Sequence, residues 1–180
     1  MKSTSRRLQI RLALVAAATA GILGSTGTFA DVDTENLQVS ASVTATCTIA
    51  TAPVAFGEYD PTSETDLDSS GSVTVLCTNG TPGYITLGEG SNPDGASTAD
   101  LPLRQMAGGA AGAGRLAYQL YSEATYTDVW GNTSTTGVEH EGDGAEETLT
   151  VYGRIPAEQN VIAGSGATAY ADTVVATVTF

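Results

Sequence analysis

Short runs in which apolar and polar residues alternate recur along this chain, and they constrain its fold more than any other feature. The clearest are residues 72–78 (SVTVLCT), 115–121 (RLAYQLY) and 172–180 (DTVVATVTF). A period of two is typical of a β-strand with one buried face. No long stretch places apolar residues at helical spacing. The pattern therefore predicts an all-β protein, and short strands at such intervals favour a sandwich.

Other segments predict shorter or interrupted strands. These strands are residues 47–56, interrupted at Pro53, and residues 84–87, 101–106 and 148–155. Residues 125–130 are expected to pair with residues 115–121 as the second arm of a hairpin. Residues 132–146 are polar and acidic, and are expected to form a loop.

The first thirty residues are expected to be a signal peptide rather than part of the fold. Four basic residues accompany a short apolar run, residues 12–23, and small residues follow it up to Ala30. The apolar run is too short for a membrane span. Cleavage is predicted between Ala30 and Asp31, and the mature chain is expected to be exported without inserting into a membrane.

The charge balance after Ala30 argues against nucleic acid as a partner. Three arginines stand against 20 acidic residues, so the mature chain has a formal net charge of −17. Binding of phosphates needs a basic surface, which this composition does not supply. Arg104, Arg115 and Arg154 are expected to form surface ion pairs, and contact with a partner protein is the alternative role for them.

The two cysteines, Cys47 and Cys77, are an even count in a chain that is expected to be exported. Disulfides persist in that environment, so a bond between the two is the default prediction. A free thiol or a metal site is the alternative, but two isolated cysteines and one histidine are a poor ligand set for zinc.

No constellation of residues predicts an enzyme, a cofactor or a metal site. His140, the single histidine, lies between two glutamates in a glycine-rich stretch and is expected to be a solvated loop residue. The acidic residues 60–68 lack the ligand spacing of an EF-hand. The glycines of residues 108–114 do not connect a strand to a helix, as those of a phosphate-binding loop do.

An alternating segment also stands at the start of the mature chain, immediately before Cys47. In residues 37–43 the side chains that share one face are Leu37, Val39, Ala41 and Val43. Only three residues separate Val43 from Cys47, and they span at most about 10 Å. This tether is too short for the segment to reverse and cross its own sandwich if Cys47 is bonded in the core. We therefore expect the segment to dock into a different molecule.

The last predicted strand ends with the chain, so it offers a second spare apolar face. Its inward residues are expected to be Val174, Ala176, Val178 and Phe180. A sheet edge that is neither paired, short nor charged is open to pairing with another chain. The sequence thus has an unpaired apolar strand at each end of the mature domain.

Several short segments together resemble one known family. They are the alternating segment that ends at Cys47, FGEYDP (56–61), SVTVLCTNG (72–80), LRQM (103–106), LAYQLY (116–121), WGN (130–132), VYGRIPAEQN (151–160) and YADTVVATVTF (170–180). In this order they resemble the spore coat protein U domain family, which includes the pilin subunits of archaic (Csu-type) chaperone–usher pili. The resemblance covers nearly all of the mature chain.

The resemblance implies an incomplete immunoglobulin-like β-sandwich that lacks its last strand and is completed by donor-strand exchange. Residues 1–30 would be the signal peptide, residues 31–46 the donor segment and residues 47–180 the domain. Cys47 and Cys77 would form the family disulfide. Carried over by position, the donor side chains are Leu37, Val39, Ala41 and Val43, and the edge of the acceptor groove that also contacts the chaperone is Val174, Ala176, Val178 and Phe180.

The function that the resemblance implies is structural. The chain would be a major or repeating subunit of a fimbria, exported through the periplasm to the cell surface, where it serves attachment and biofilm formation. Its expected partners are further copies of itself, other pilus subunits, a periplasmic chaperone and an outer-membrane usher, and no cofactor is expected. A coat protein deposited on a spore or cell surface is the alternative, and a ligand-binding tip adhesin is the third class.

Overall fold

The computed structural model describes residues 30–180, so the expected signal peptide lies outside the described residues apart from Ala30. The chain divides into two units, Met1–Ser40 and Ala41–Phe180. In the first unit, residues 30–40 are exposed and are assigned to neither helix nor strand. Residues 30–180 contain no candidate membrane-spanning helix.

The second unit is built from eight β-strands, in agreement with the all-β prediction. The strands are β1 Cys47–Ala52, β2 Leu67–Cys77, β3 Pro82–Leu87, β4 Arg104–Gly108, β5 Gly114–Tyr121, β6 Val138–Glu141, β7 Glu146–Ile155 and β8 Ala176–Thr179. Two short 3-10 turns, Ala110–Gly112 and Gly166–Thr168, complete the regular structure of the described residues.

The strands form two antiparallel sheets. The larger has the order β1-β2-β7-β5-β4, and the smaller has the order β6-β3-β8. The longest ladder joins β2 to β7, from the pair of Leu67 and Ile155 to the pair of Leu76 and Glu146. Strand β8 pairs with β3 alone, so the smaller sheet ends at β8.

The inward faces of both sheets supply one core. Alternation in β5 buries Leu116, Tyr118 and Leu120 and turns the residues between them outward. The other core side chains are Val73, Val75 and Cys77 of β2, Ile85 and Leu87 of β3, Trp130, and Val151 and Ile155 of β7. The period of two read from the sequence is therefore the pattern of burial in these strands.

Two local predictions were wrong. Residues 125–130 do not form a hairpin arm, and only an isolated bridge joins Tyr121 to Val129. Residues 132–146 are not wholly a loop, because they contain β6. Strand β6 reads Val-Glu-His-Glu, a polar sequence that suits a sheet edge, where charged side chains discourage further pairing.

The expected disulfide is present and joins the first residue of β1 to the last residue of β2. Cys47 and Cys77 are register partners across the two strands, with their Cα atoms 4.1 Å apart. The bond therefore anchors the start of the domain, directly after the alternating N-terminal segment.

Removing this bond with the pair Cys47→Ala and Cys77→Ala is expected to lower the free energy of unfolding by about 3–4 kcal/mol. The reason is that the bond closes a loop with a sequence separation of 30 residues, which restricts the unfolded chain. Urea unfolding with and without a reducing agent measures the loss. The reductant should destabilise the native protein and leave the double variant unchanged; an equal effect on both would contradict the prediction.

Candidate functional site

The Ala41–Phe180 unit contains an apolar cleft with a volume of about 1120 Å³. One wall comes from the end of β1 and the residues after it, 51–61, and the other from residues 161–176, which reach the first residue of β8. The floor is the inner face of the larger sheet, provided by Val73, Leu116, Tyr118, Leu120, Val151 and Ile155. The cleft therefore opens directly onto the core.

The first wall begins where Pro53 ends β1. Beyond it, Val54 and Phe56 turn inward over Gly153 of β7, where a Cβ atom would come within 2.6 Å of Val54 Cγ1 and 2.8 Å of Phe56 Cζ. The ring of Phe56 also meets that of Tyr118 edge-on, with centroids 6.2 Å apart. Glycine at position 153 thus makes room for this wall.

Tyr59 holds the end of the same wall in place. Its hydroxyl donates a hydrogen bond to the carbonyl oxygen of Pro156 and accepts one from the backbone N–H of Gln159, each at 2.9 Å. The side chain of Gln159 in turn bonds both backbone groups of Ala117 at 2.8 Å. The part of this wall that follows β1, residues 53–61, is therefore tied to β5 through the side chains of Tyr59 and Gln159 rather than through a strand ladder.

The second wall is held by Asp172, four residues before β8. Its carboxylate accepts hydrogen bonds from the Tyr118 hydroxyl at 2.7 Å, the Ser91 backbone N–H at 2.9 Å and the Asn92 side-chain amide at 3.2 Å. Burial, and then the bond to Asp172, raises the pKa of Tyr118 above its ordinary value. This role of Asp172 could not be predicted from the sequence, because its partners lie far away along the chain.

The Tyr118 hydroxyl should make the stability of the fold fall at alkaline pH. The folded state keeps this proton to a higher pH than the unfolded state, which loses it near pH 10, so stability decreases above about pH 10. Tyr118→Phe should therefore show a shallower decline in the free energy of unfolding between about pH 8 and about pH 11. Urea unfolding of both proteins measures the difference. Parallel profiles would contradict the prediction.

Arg104 lies beneath the turn that follows β3, and the expected surface ion pair is wrong for this residue. Its side chain is 1% exposed and donates to the carbonyl oxygens of Gly88, Leu87 and Trp130 at 2.7–2.9 Å. Burial lowers its pKa to about 10. Arg104 therefore fixes the end of β3 and the turn after it, and Ser91 and Asn92 of the segment beyond that turn hold Asp172.

Arg154 and Arg115 remain at the surface. Arg154 forms the expected ion pair: its guanidinium bonds both oxygens of Asp68 at 2.7 and 2.8 Å and lies 3.7 Å from the ring centroid of Tyr126. Arg115 donates instead to the carbonyl oxygens of Gly112 and Gly114, each at 2.9 Å.

The residues predicted for the groove edge divide into two groups. Val174, Ala176 and Val178 pack against the core, whereas Phe180 is 56% exposed. Val174 and Ala176 also line the cleft. Three of the four predicted side chains thus face inward, and two of them lie at the cleft itself.

The backbone of β8 directs unpaired groups toward the side away from β3. The backbone N–H and C=O of Leu87 point away from β8, because the N–H donates to the carbonyl oxygen of Gly131 and the C=O accepts from Arg104. Leu87 and Ala176 are therefore a non-hydrogen-bonded pair of this antiparallel ladder, and the backbone N–H and C=O of Ala176 point away from β3. Val178 is two residues further along β8, so its N–H and C=O point the same way and can pair with a strand beside β8.

The two edges of the smaller sheet differ in charge. Strand β6 carries Glu139 and Glu141, whereas β8, with the sequence Ala-Thr-Val-Thr, carries no charge. Charged residues protect an edge from pairing. The β8 edge lacks that protection and borders the apolar cleft.

The predicted donor side chains are displayed to solvent. Leu37 is 88% exposed, and Val39 and Val43 are each 85% exposed. Ala41 is exposed as well, and residues 30–46 include no strand. The alternation of apolar and polar residues in this segment therefore buries nothing within the described chain.

His140 is not the solvated loop residue that was expected. It is buried on β6, and its Nδ1 lies 2.8 Å from Glu147 Oε2 of β7. The described residues include no cluster of three or more histidine, cysteine or acidic side chains arranged to hold a metal ion. The contact between His140 and Glu147 links the two sheets, since β6 and β7 belong to different ones.

Comparison with known proteins places these features in a family. Residues 33–177 match the family model described as the Spore Coat Protein U domain. "Protein U" of Myxococcus xanthus is 42% identical over 156 residues, which cover 82% of this chain and 84% of that protein. The resemblance noted from the short sequence segments is confirmed.

A solved structure shares the fold. It is a chain of the CsuC–CsuE chaperone–tip adhesion subunit pre-assembly complex from archaic chaperone–usher Csu pili of Acinetobacter baumannii, with a TM-score of 0.52 and 21% identity. The match covers 77% of this chain and 40% of that chain, so it concerns less than half of the solved chain.

Proposed function

The chain belongs to the spore coat protein U domain family, and from this premise we propose that it is a structural subunit that polymerises by donor-strand exchange. Residues 37–43 of one copy fill the cleft and pair with β8 of the next copy. The observation that carries the proposal is the apolar cleft beside an uncharged, unpaired strand edge. The exposed alternating segment of the same chain supplies a suitable occupant.

The energetics of this exchange are adequate for assembly. Burial of Leu37, Val39 and Val43 should contribute about 1.5–3 kcal/mol each, and Ala41 less. Their sum of about 5–9 kcal/mol is similar to the stability of a whole domain. Pairing along β8 adds main-chain hydrogen bonds, while alternate side chains enter the cleft.

The geometry of the exchange generates a filament. The donor segment and the cleft are different surfaces of one molecule, so each contact is head-to-tail and does not close on itself. The disulfide at Cys47 anchors the domain immediately beyond the donor segment. Each subunit would thus be tied firmly to the strand that completes its neighbour.

The proposed route of assembly is the chaperone–usher pathway. The solved structure that shares the fold comes from a complex of a chaperone with a tip adhesion subunit of a chaperone–usher pilus, and a chaperone strand would protect the β8 edge here. After cleavage between Ala30 and Asp31, the subunit would pass through the periplasm and an outer-membrane usher into a surface fimbria. There it would serve as a repeating subunit in attachment and biofilm formation.

A coat protein is the second candidate, favoured by the description of the family and by the 42% identity to Protein U. Donor-strand exchange could also build such a coat. Electron microscopy of cells with and without the gene separates the two, since loss of fibres supports the fimbria and loss of a coat layer supports the alternative. Neighbouring chaperone and usher genes would favour the fimbria.

Replacing Leu37, Val39 and Val43 together with serine is expected to abolish multimers of the mature chain. These side chains are exposed, so the change should leave the domain folded while removing the apolar surface that binds the cleft. Size exclusion and electron microscopy measure assembly, and circular dichroism measures folding. The matched control replaces Gln38, Ser40 and Ser42, on the opposite face, with alanine and should still assemble. Multimers formed by the serine variant would overturn the proposal.

A further inference from the structure

The ring of Phe56 projects from the first wall of the cleft over the floor, next to Tyr118. Along β5 the inward side chains that line the cleft are Leu116, Tyr118 and Leu120, and Phe56 meets the central one edge-on at 6.2 Å between ring centroids. On β7 the ring lies over Gly153, the register partner of Leu120. Because Gly153 has no side chain, the Phe56 ring packs directly against the backbone of β7 and has a fixed position in the cleft.

The donor segment has a matching feature at its middle. In an extended strand its four apolar positions are about 6.6 Å apart, so Leu37 and Val43 occupy the ends and Val39 and Ala41 the centre. A central position therefore faces the middle of the cleft whichever way the strand runs. Of the two central side chains, only Ala41 is small.

We infer that Phe56 makes the cleft selective for a donor with a small residue at its centre, so that it favours residues 37–43 of a second copy of this chain. This inference rests on the proposed function. The ring takes up space at one of the two central positions, and Ala41, the smaller of the two central side chains, is the one that fits there. Donor strands with a large residue at this position would clash with a core that does not yield.

The charge of the protein is consistent with selection of the donor strand by the size of its side chains. The mature chain has a formal net charge of −17, so two copies repel each other and charge cannot favour self-recognition. The donor positions between Leu37 and Val43 carry no charge, and neither does β8. Discrimination between donor strands is therefore left to the size of the side chains that enter the cleft.

The test compares three donor peptides on the mature chain. The protein, residues 31–180, is refolded with an excess of a labelled peptide that copies residues 35–45, and unlabelled peptides then displace it. One competitor has the native sequence, one carries Ala41→Leu and one carries Val43→Leu, a matched control at the end of the strand. We expect Ala41→Leu to need at least about tenfold more peptide than the native sequence, because overpacking a rigid site is costly. The Val43→Leu peptide should displace the label at a concentration within about threefold of that needed for the native peptide.

A protein variant decides whether Phe56 is responsible. In Phe56→Ala the order should reverse, and the Ala41→Leu peptide should bind at least as tightly as the native peptide. If Phe56→Ala does not fold, Phe56→Leu replaces it and should narrow the difference between the two peptides. A general loss of stability would weaken both peptides equally and could not reverse their order.

The outcomes separate this inference from the proposed function. If the native peptide is not retained, donor-strand exchange itself is wrong. If it is retained and Ala41→Leu displaces it equally well, the inference fails and the proposed function stands. If Ala41→Leu is weak on the native protein and on the Phe56 variants by the same factor, the cleft selects a small residue by other means and Phe56 has no such role.

Discussion

Ala176→Pro is expected to weaken uptake of a donor strand at least about a hundredfold, or about 2.7 kcal/mol, while the domain stays folded. The backbone N–H of Ala176 points away from β3, toward the open edge beside the cleft. Proline removes this donor, and its ring obstructs a strand that pairs there. Since Ala176 is the first residue of β8, proline is tolerated by the ladder with β3.

Peptide retention and multimer formation measure the uptake of a donor strand, and urea unfolding measures whether the domain stays folded. The matched control is Thr177→Pro, one residue further along, whose N–H points toward β3 by the same alternation. This variant should lose about 1–3 kcal/mol of stability, because it removes a ladder hydrogen bond to β3 and leaves the acceptor unpaired. If Ala176→Pro assembles like the native chain, the donor strand does not pair with β8.

Arg104→Met is expected to lower the free energy of unfolding by at least about 4 kcal/mol. The guanidinium is the hydrogen-bond donor to three backbone carbonyls and to Gln119 Oε1. Methionine fills a similar volume but leaves these acceptors buried and unpaired, and each such acceptor costs about 1–3 kcal/mol. A loss of this size is comparable to the total stability of many domains.

Urea unfolding measures the effect, with Arg115→Met as the control. Arg115 also bonds backbone carbonyls but is exposed, so its replacement should change stability by less than about 0.5 kcal/mol. Since Arg104 positions the turn next to β8, Arg104→Met should also weaken donor-peptide uptake where it remains folded. Equal stabilities of the two variants would show that the buried bonds are not important.

Most strands could be predicted because strand formation leaves a local signal. In β2, β5 and β7 the period of two in the sequence matches the alternation of buried and exposed residues. Pro53 interrupts strand pairing as expected, since proline cannot donate to a ladder, but β1 ends there and does not resume up to residue 56. The two cysteines likewise allowed one pairing only.

Residues whose environment is made by distant partners could not be predicted. Arg104 read as a surface cation because nothing near it in sequence reveals the carbonyls of Leu87 and Trp130 that surround it. The roles of Asp172 and Phe56 could not be predicted for the same reason, although both residues lie in segments that carry the family resemblance. Strand β6 was missed because edge strands are short and polar, which is also the composition of a loop.

The sequence by itself determined that this chain is all-β, that its cysteines pair and that a segment of alternating apolar and polar residues precedes the domain, because periodicity, parity and spacing are properties of neighbouring residues. Only the tertiary structure decided that β8 pairs on one side alone, that Phe56 lines the cleft next to Tyr118 and that Arg104 and Asp172 hold its wall. These features depend on which strands become neighbours, and that order follows from packing across the whole core.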